Sequence, residues 1–439
     1  MVRLLLVVVV VGFLADTRCA WAQSEDDFEA IKPRIKWRAE IGYSGGPITV
    51  AAEDVLLGGY SKIGGGSMFC FRRSGAAVWR ADHPQRSEIR SISQGIHSLP
   101  AVKEDRVYYY TNRGEIICAD LNGFFDDKND GPFEEETAVG RPHVDIVWKV
   151  DLIKDFGVNK RDAGDIYNPH PSVLLDGDLL YCITGHGRDY VKGPDGKYVA
   201  STPDAPSLVA LDTATGGLRW KHHADNARIR RGQWGAPSLF TTAGGEKRLA
   251  FSGGDAILYA LDPNSGKVDW QTELEPADGK GFSSGHPCVW EDLLLIGLGE
   301  QCDDGRNFSI VAVTREGKIA WRFVHPDLEG CIGSLVVKDG VAFACSNIDD
   351  LFALDARTGK LHTSHKTEGN RNFSSPLLVG DRLLLAAGDG VFEFTADKSL
   401  TPKRFWDCGY LESDPVVVGN EIFVVNSREL ICAEWEAGK

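Results

Sequence analysis

Methionine is nearly absent, with 2 residues in a chain of 439. That scarcity leaves no sign of a built-in electron exit. No Cys-x-x-Cys-His run exists, so no covalently attached haem is coded. No two cysteines are adjacent, and none are spaced for zinc or an iron–sulfur cluster. The chain has no P-loop, no HExxH and no recognisable Ser-His-Asp order. Nothing marks out a carboxylate pair for glycoside hydrolysis. Basic charge is in deficit, with 48 Lys and Arg against 63 Asp and Glu, a net charge of −15. Such a balance argues against nucleic acid or an anionic membrane surface as the main partner. Beyond the first residues no apolar run is long enough for a transmembrane helix.

What is present begins with a targeting signal. Met-Val-Arg precedes an apolar run from Leu4 to about Ala15, and Ala20-Trp21-Ala22 ends it. That layout predicts a secretory signal over residues 1–22, a short linker over 23–30, and a protein that is secreted or periplasmic. Cleavage there removes one of the 10 cysteines, Cys19, and leaves an odd number. They cannot all pair internally. Cys70, Cys118 and Cys432 occupy one slot of a repeat and read as small buried hydrophobes. Cys288, Cys302 and Cys331 lie close enough in sequence to supply one disulfide.

The repeat is clearest in LYALDPNSGKVDW (258–270). An apolar run suits a strand buried on both faces. Asp, Pro and Gly then turn the chain, and a tryptophan-bearing strand returns. The same pattern recurs as LVALDTATGGLRW, LFALDARTGKLHT and IVAVTREGKIAW, and more loosely as MFCFRRSGAAVW. Two further strands precede each copy, the first starting near Pro47, Pro100, Pro171, Pro237, Pro287, Ser334, Pro376 and Pro415. Trp79, Trp148, Trp220, Trp270, Trp321 and Trp406 mark fourth strands, with Thr363 replacing one. Four-stranded units at this period predict an all-β, eight-bladed propeller of antiparallel blades over 31–439. The last unit stops short of its fourth strand. Arg34-Ile35-Lys36-Trp37 matches the missing piece, so the N-terminal strand is expected to close the last blade and remove an open edge.

Loops after the second and fourth strands share one face of such a ring. That face receives the insertions 82–99, 151–170, 185–207, 222–236 and 300–309, and 151–157 is expected to hold a short helix. The opposite face receives the acidic insertion 122–145. Residues just before each inner strand should ring the channel mouth: Gly46, Leu99, His170, Ala236, His286, Gly333, Ser375 and Asp414. His170, His286 and Asp414 are candidate ligand groups, although the favoured reading of each His is a hydrogen bond to a neighbouring loop. Arg230, Gln233 and Trp234 read either as an aromatic platform with guanidinium donors or as a wedge between blades. Asp126, Asp127, Asn129 and Asp130 crowd oxygens into a loop that suggests calcium, but Lys128 stands where a ligand is needed. Glu134, Glu135 and Glu136 are expected to face water.

The motif ALDxxTGKxxW, preceded by SSPxxVxxxxxxV, resembles the repeat of the pyrroloquinoline-quinone (PQQ) propeller family over about residues 31–439. The resemblance implies one of two kinds of function. One branch comprises quinoprotein alcohol and sugar dehydrogenases, which use PQQ and Ca²⁺. The other comprises non-catalytic propellers, including outer-membrane assembly factors. The segments NGFFDDKNDGPF, PDAPSLVALD and RRGQWGAPS are closest in texture to secreted members without known chemistry. The adjacent cysteines and the calcium ligand pattern of the dehydrogenases are missing here. The expectation leans away from an enzyme and from any cofactor. It favours a monomeric scaffold that binds a protein, a peptide or a cell-envelope component, with a PQQ-dependent dehydrogenase as the alternative.

Overall fold

A computed structural model describes residues 28–42, 45–60, 64–86, 95–124, 128–136, 140, 142–159, 172–187, 190–192, 198–225, 228–229, 235–274, 281–283, 285–300, 309–325, 333–346, 350–366, 375–411 and 413–435. The strands form eight antiparallel blades in a ring. Blade four shows how the sequence makes one. Ile257–Leu261 is buried along its length and pairs with Lys247–Ser252 on one side and Val268–Glu273 on the other. Asp262 Oδ1 then accepts the N–H groups of Asn264 at 3.0 Å and Ser265 at 2.8 Å, which folds the turn. Asp212 and Asp355 do the same in blades three and six.

The core is a cycle of eight apolar clusters, each drawn from two neighbouring blades. One device recurs at six of these interfaces. The fourth-strand tryptophan lies opposite a small residue of its own third strand: Trp270 faces Ala260, and Trp79, Trp148 and Trp37 face Cys70, Cys118 and Cys432. Its indole N–H donates to a carbonyl in the turn of the next blade, as in Trp148 to Thr213 at 3.0 Å and Trp220 to Pro263 at 2.9 Å. The ring lies on a turn glycine of that blade. A Cβ on Gly266 would come within 2.5 Å of Trp220, and its φ of +68° suits glycine in any case.

The ring closes as the sequence predicts. Ile35–Glu40 is the outer strand of the last blade, antiparallel to Glu429–Glu434. Trp37 continues the device across the seam, donating to the Arg73 carbonyl at 2.7 Å. Glu421, nearly buried, holds both Lys36 and Arg73 there. The short helix is Leu152–Phe156, capped by Asp151 and ended by Gly157 in the left-handed region.

Three features depart from the sequence reading. First, the linker assigned to 23–30 contributes structure at its end. Glu29–Ile31 adds a fifth strand, parallel to Pro402–Asp407 on the outside of blade seven, and Phe28 is buried against Phe392 and Phe394. Second, Trp406 lies in a fourth strand but not at the repeating position. The residue in register is Arg404, opposite buried Glu393, and Trp406 instead stacks on Trp435 with ring centres 4.7 Å apart. Third, where Thr363 replaces tryptophan, the next turn carries Leu400, buried and at φ +46°, in place of glycine. The smaller residue on one blade is matched by a larger one on its neighbour.

Candidate functional site

Residues that lead into the first strands of blades five to eight, expected from the sequence to ring the channel mouth, form a hydrogen-bonded belt. His286 donates its backbone N–H to Ser334 Oγ at 3.0 Å. The Ser334 N–H donates to Ser375 Oγ at 3.0 Å, and the Ser375 N–H to Asp414 Oδ1 at 2.9 Å. His286 also bonds the Ala236 backbone, although burial dominates and pushes its pKa down. The belt therefore runs from blade four to blade eight. Between these contacts the backbones nearly touch. A Cβ on Gly235 would lie 2.1 Å from the Gly285 carbonyl, and one on Gly285 would lie 2.7 Å from that of Gly333.

The chemical meaning follows from the donors and acceptors. Ser334, Ser375 and Asp414 each satisfy a backbone N–H of the preceding blade, which otherwise would be left without a partner at an interface. Of the mouth groups named from sequence, His286 and Asp414 are thus brought into one belt but serve the ring. Ser334 and Ser375 carry the same role. The sequence signal for them was a Ser or Asp within one residue of the first-strand start. His170, Arg230, Gln233 and Trp234 lie outside the described residues.

The acidic insertion folds back along the edge of blade one. Pro142 accepts the Arg80 N–H at 3.2 Å, and His143 bridges Arg80 in parallel on the edge of blade one. Asn129 donates its amide to Phe133 O and to Glu136, both at 3.0 Å. Asp130 pairs with Arg106 at 3.2 Å and gives its N–H to Asp145 Oδ2 at 3.0 Å. Asn129 and Asp130 are therefore engaged in the loop's own fold, while Asp126 and Asp127 lie outside the described residues. Glu134 and Glu135 are exposed, as expected. Glu136 is not: it is half-buried and accepts the Ile146 N–H. Asp145 is fully buried with Oδ1 lacking a hydrogen-bond partner, and burial together with nearby Asp130, Asp120 and Glu136 raises its pKa to about 6.

The cysteines fit the packing reading. Cys70, Cys118 and Cys432 are buried in the slot facing the tryptophan, and burial pushes their thiols up. Cys302 and Cys331 lie outside the described residues. No described helix is long and apolar enough to cross a membrane.

Comparison with known proteins agrees with this architecture. BamB from Moraxella catarrhalis superposes with a TM-score of 0.60 at 14% identity, covering 91% of this chain and 99% of that one. Sqt1 from Saccharomyces cerevisiae gives 0.58 at 9% identity, covering 92% and 99%. The quinohemoprotein alcohol dehydrogenase ADHIIG from Pseudomonas putida HK5 gives 0.56 at 10% identity, covering 95% and 79%. At such identities the likeness speaks to the fold. No curated protein sequence matches the chain. The family model described as outer membrane protein assembly factor BamB matches residues 137–300 and 306–407, more than half of the sequence. The chain therefore belongs to the BamB-type family of PQQ-like β-propellers.

Proposed function

We propose that this protein is a non-catalytic binding scaffold of the cell envelope, which uses the mouth face of its ring to hold a partner protein or peptide. The observation that carries this reading is the belt. Among the described residues, the side chains of Ser334, Ser375 and Asp414 accept backbone N–H groups from neighbouring blades, which fits a role in stabilising the ring. A family described by its role in outer-membrane protein assembly supports the same reading. So does the sequence, with its secretory-type start and its elaborated loops on one face.

The alternative is a quinoprotein dehydrogenase. PQQ with Ca²⁺ would supply an electrophilic carbonyl to take up hydride. The described mouth residues do not fit that pair. Among the described residues, Asp414 Oδ1 and the two serine hydroxyls already accept backbone N–H groups within the belt, and the backbones of Gly235, Gly285 and Gly333 approach one another closely. The experiment is direct. Purified protein is incubated with PQQ and Ca²⁺, then given alcohols or sugars and a redox dye. The scaffold reading expects neither turnover nor a protein-bound quinone absorption band, and either signal would overturn it.

A further inference from the structure

The interface between blades seven and eight holds a cavity of about 240 Å³. Its walls are Ile35, Ile422, Val424, Ile431 and Ala433 of blade eight, with Cys408 of blade seven opposite. Arg38 and Asp407 stand at its rim.

The internal repeat says what belongs there. Four residues beyond the repeating tryptophan position, a side chain points into the next interface. That place is taken by Ile41, His83, Leu152, Leu274 and His325 in five blades. The first four are buried, and the ring of His325 packs on Phe352 at 5.6 Å. Blade three has Ala224, and Ile229 from the following loop joins it in the same cluster. In blade seven the residue is Cys408, four beyond Arg404. Leu411 enters that cluster, as Ile229 does in blade three, yet the cavity remains. Well-packed interfaces rarely leave so large a gap between aliphatic side chains, and a cavity of even ~150 Å³ lined by such side chains takes up an aromatic ring; here Arg38 and Asp407 add polar groups to the lining.

The ring also shows how an outside segment reaches such a place. Glu29–Ile31 lies along the edge of blade seven. From there Phe28 enters the cluster between blades six and seven, and Ile31 packs on the one between blades seven and eight. The cavity rim is on the outer strand of blade eight, whose own edge no described segment pairs with.

We propose that this cavity is a binding site for one bulky apolar side chain, of leucine to phenylalanine size, presented by an extended peptide of a partner protein. The proposal rests on the scaffold reading but places contact on the flank between two blades, apart from the mouth.

The probes are N-acetylphenylalaninamide and, as control, N-acetylalaninamide, added to the full chain during thermal unfolding. The phenylalanine compound should raise the melting temperature by about 1 °C or more near saturation, and the alanine compound should not. Cys408→Leu should melt higher than the wild type and lose the response. An equal response in the variant, or none in the wild type, overturns the proposal. A readout that needs no variant is maleimide labelling at pH 8, resolved by peptide mass mapping. The phenylalanine compound should slow labelling of Cys408 at least threefold and leave Cys288 unchanged. Equal labelling of Cys408 with both compounds overturns the proposal as well. Because no native partner is involved, failure here leaves the mouth-face reading standing, and PQQ turnover would fail that reading without closing this cavity.

Discussion

The indole of Trp37 donates to the carbonyl of Arg73 at 2.7 Å, joining the last blade of the ring to the first. The same indole lies on Gly75, where a Cβ would come within 2.9 Å of it. Trp37→Ala removes both contacts and should cost about 3–5 kcal/mol in chemical denaturation. Deleting residues 31–41 leaves the last blade three-stranded with an open edge, so aggregation or loss of cooperative unfolding is expected. Unchanged melting of the deletion variant would show that this strand does not hold the ring together.

Thr363 and Leu400 trade places in size with the tryptophan and glycine found elsewhere. Restoring tryptophan alone should overpack the interface of blades six and seven, so Thr363→Trp should lose about 1–3 kcal/mol. Adding Leu400→Gly should recover part of that loss. A double-mutant cycle from urea melts should give a favourable coupling of about 1 kcal/mol or more. Additive effects would mean that the two positions do not share the space.

Asp145 has a folded-state pKa raised to about 6, above its ordinary value of 3.8. The sign follows from proton binding. The folded state holds this proton more tightly than the unfolded chain, so the carboxylate opposes folding increasingly as pH rises from about 4 to 6, and constantly above that. Asp145→Asn keeps an acceptor for the Asp130 N–H and removes the charge. It should be more stable than wild type at pH 7.5, by on the order of 1 kcal/mol or more, with the gain fading towards pH 4. A pH-independent difference in melting temperature would refute this assignment.

Asp414 terminates the belt by accepting the Ser375 N–H at 2.9 Å. Asp414→Ala strands that donor and should cost about 1–3 kcal/mol, whereas Asp414→Asn retains an acceptor and should cost less. Equal effects of the two variants in denaturant titrations would indicate that the hydrogen bond is not what matters.

The ring was legible because its signal repeats. Ala260 against Trp270, with a turn between them, is written many times, and each copy corrects the others. Even closure by Ile35–Glu40 could be read from a missing fourth strand. The exceptions were not legible. Trp406 looked like a regular member because tryptophan was counted without its cross-strand partner; Glu393 in the small-residue slot was the available clue. Glu29–Ile31 gave no pattern, since three residues are too few to show alternation and parallel edge pairing leaves no turn nearby. The belt was half-legible. Sequence placed His286, Ser375 and Asp414 at one mouth, but polar residues there read equally as ligand groups or as partners for backbone N–H groups. Only distances separate those readings.

Binding of partners on the mouth face is measured by cross-linking the tagged protein in intact cells and quantifying recovered partner. Trp234→Ala with Arg230→Ala should reduce recovery roughly thirtyfold, as expected for loss of an aromatic anchor worth about 2 kcal/mol. Neutralising Glu134 and Glu135 on the opposite face should leave recovery intact. Loss of the partner from the Glu134 and Glu135 variant, with full recovery by the Trp234 and Arg230 variant, would place the binding surface on the opposite face.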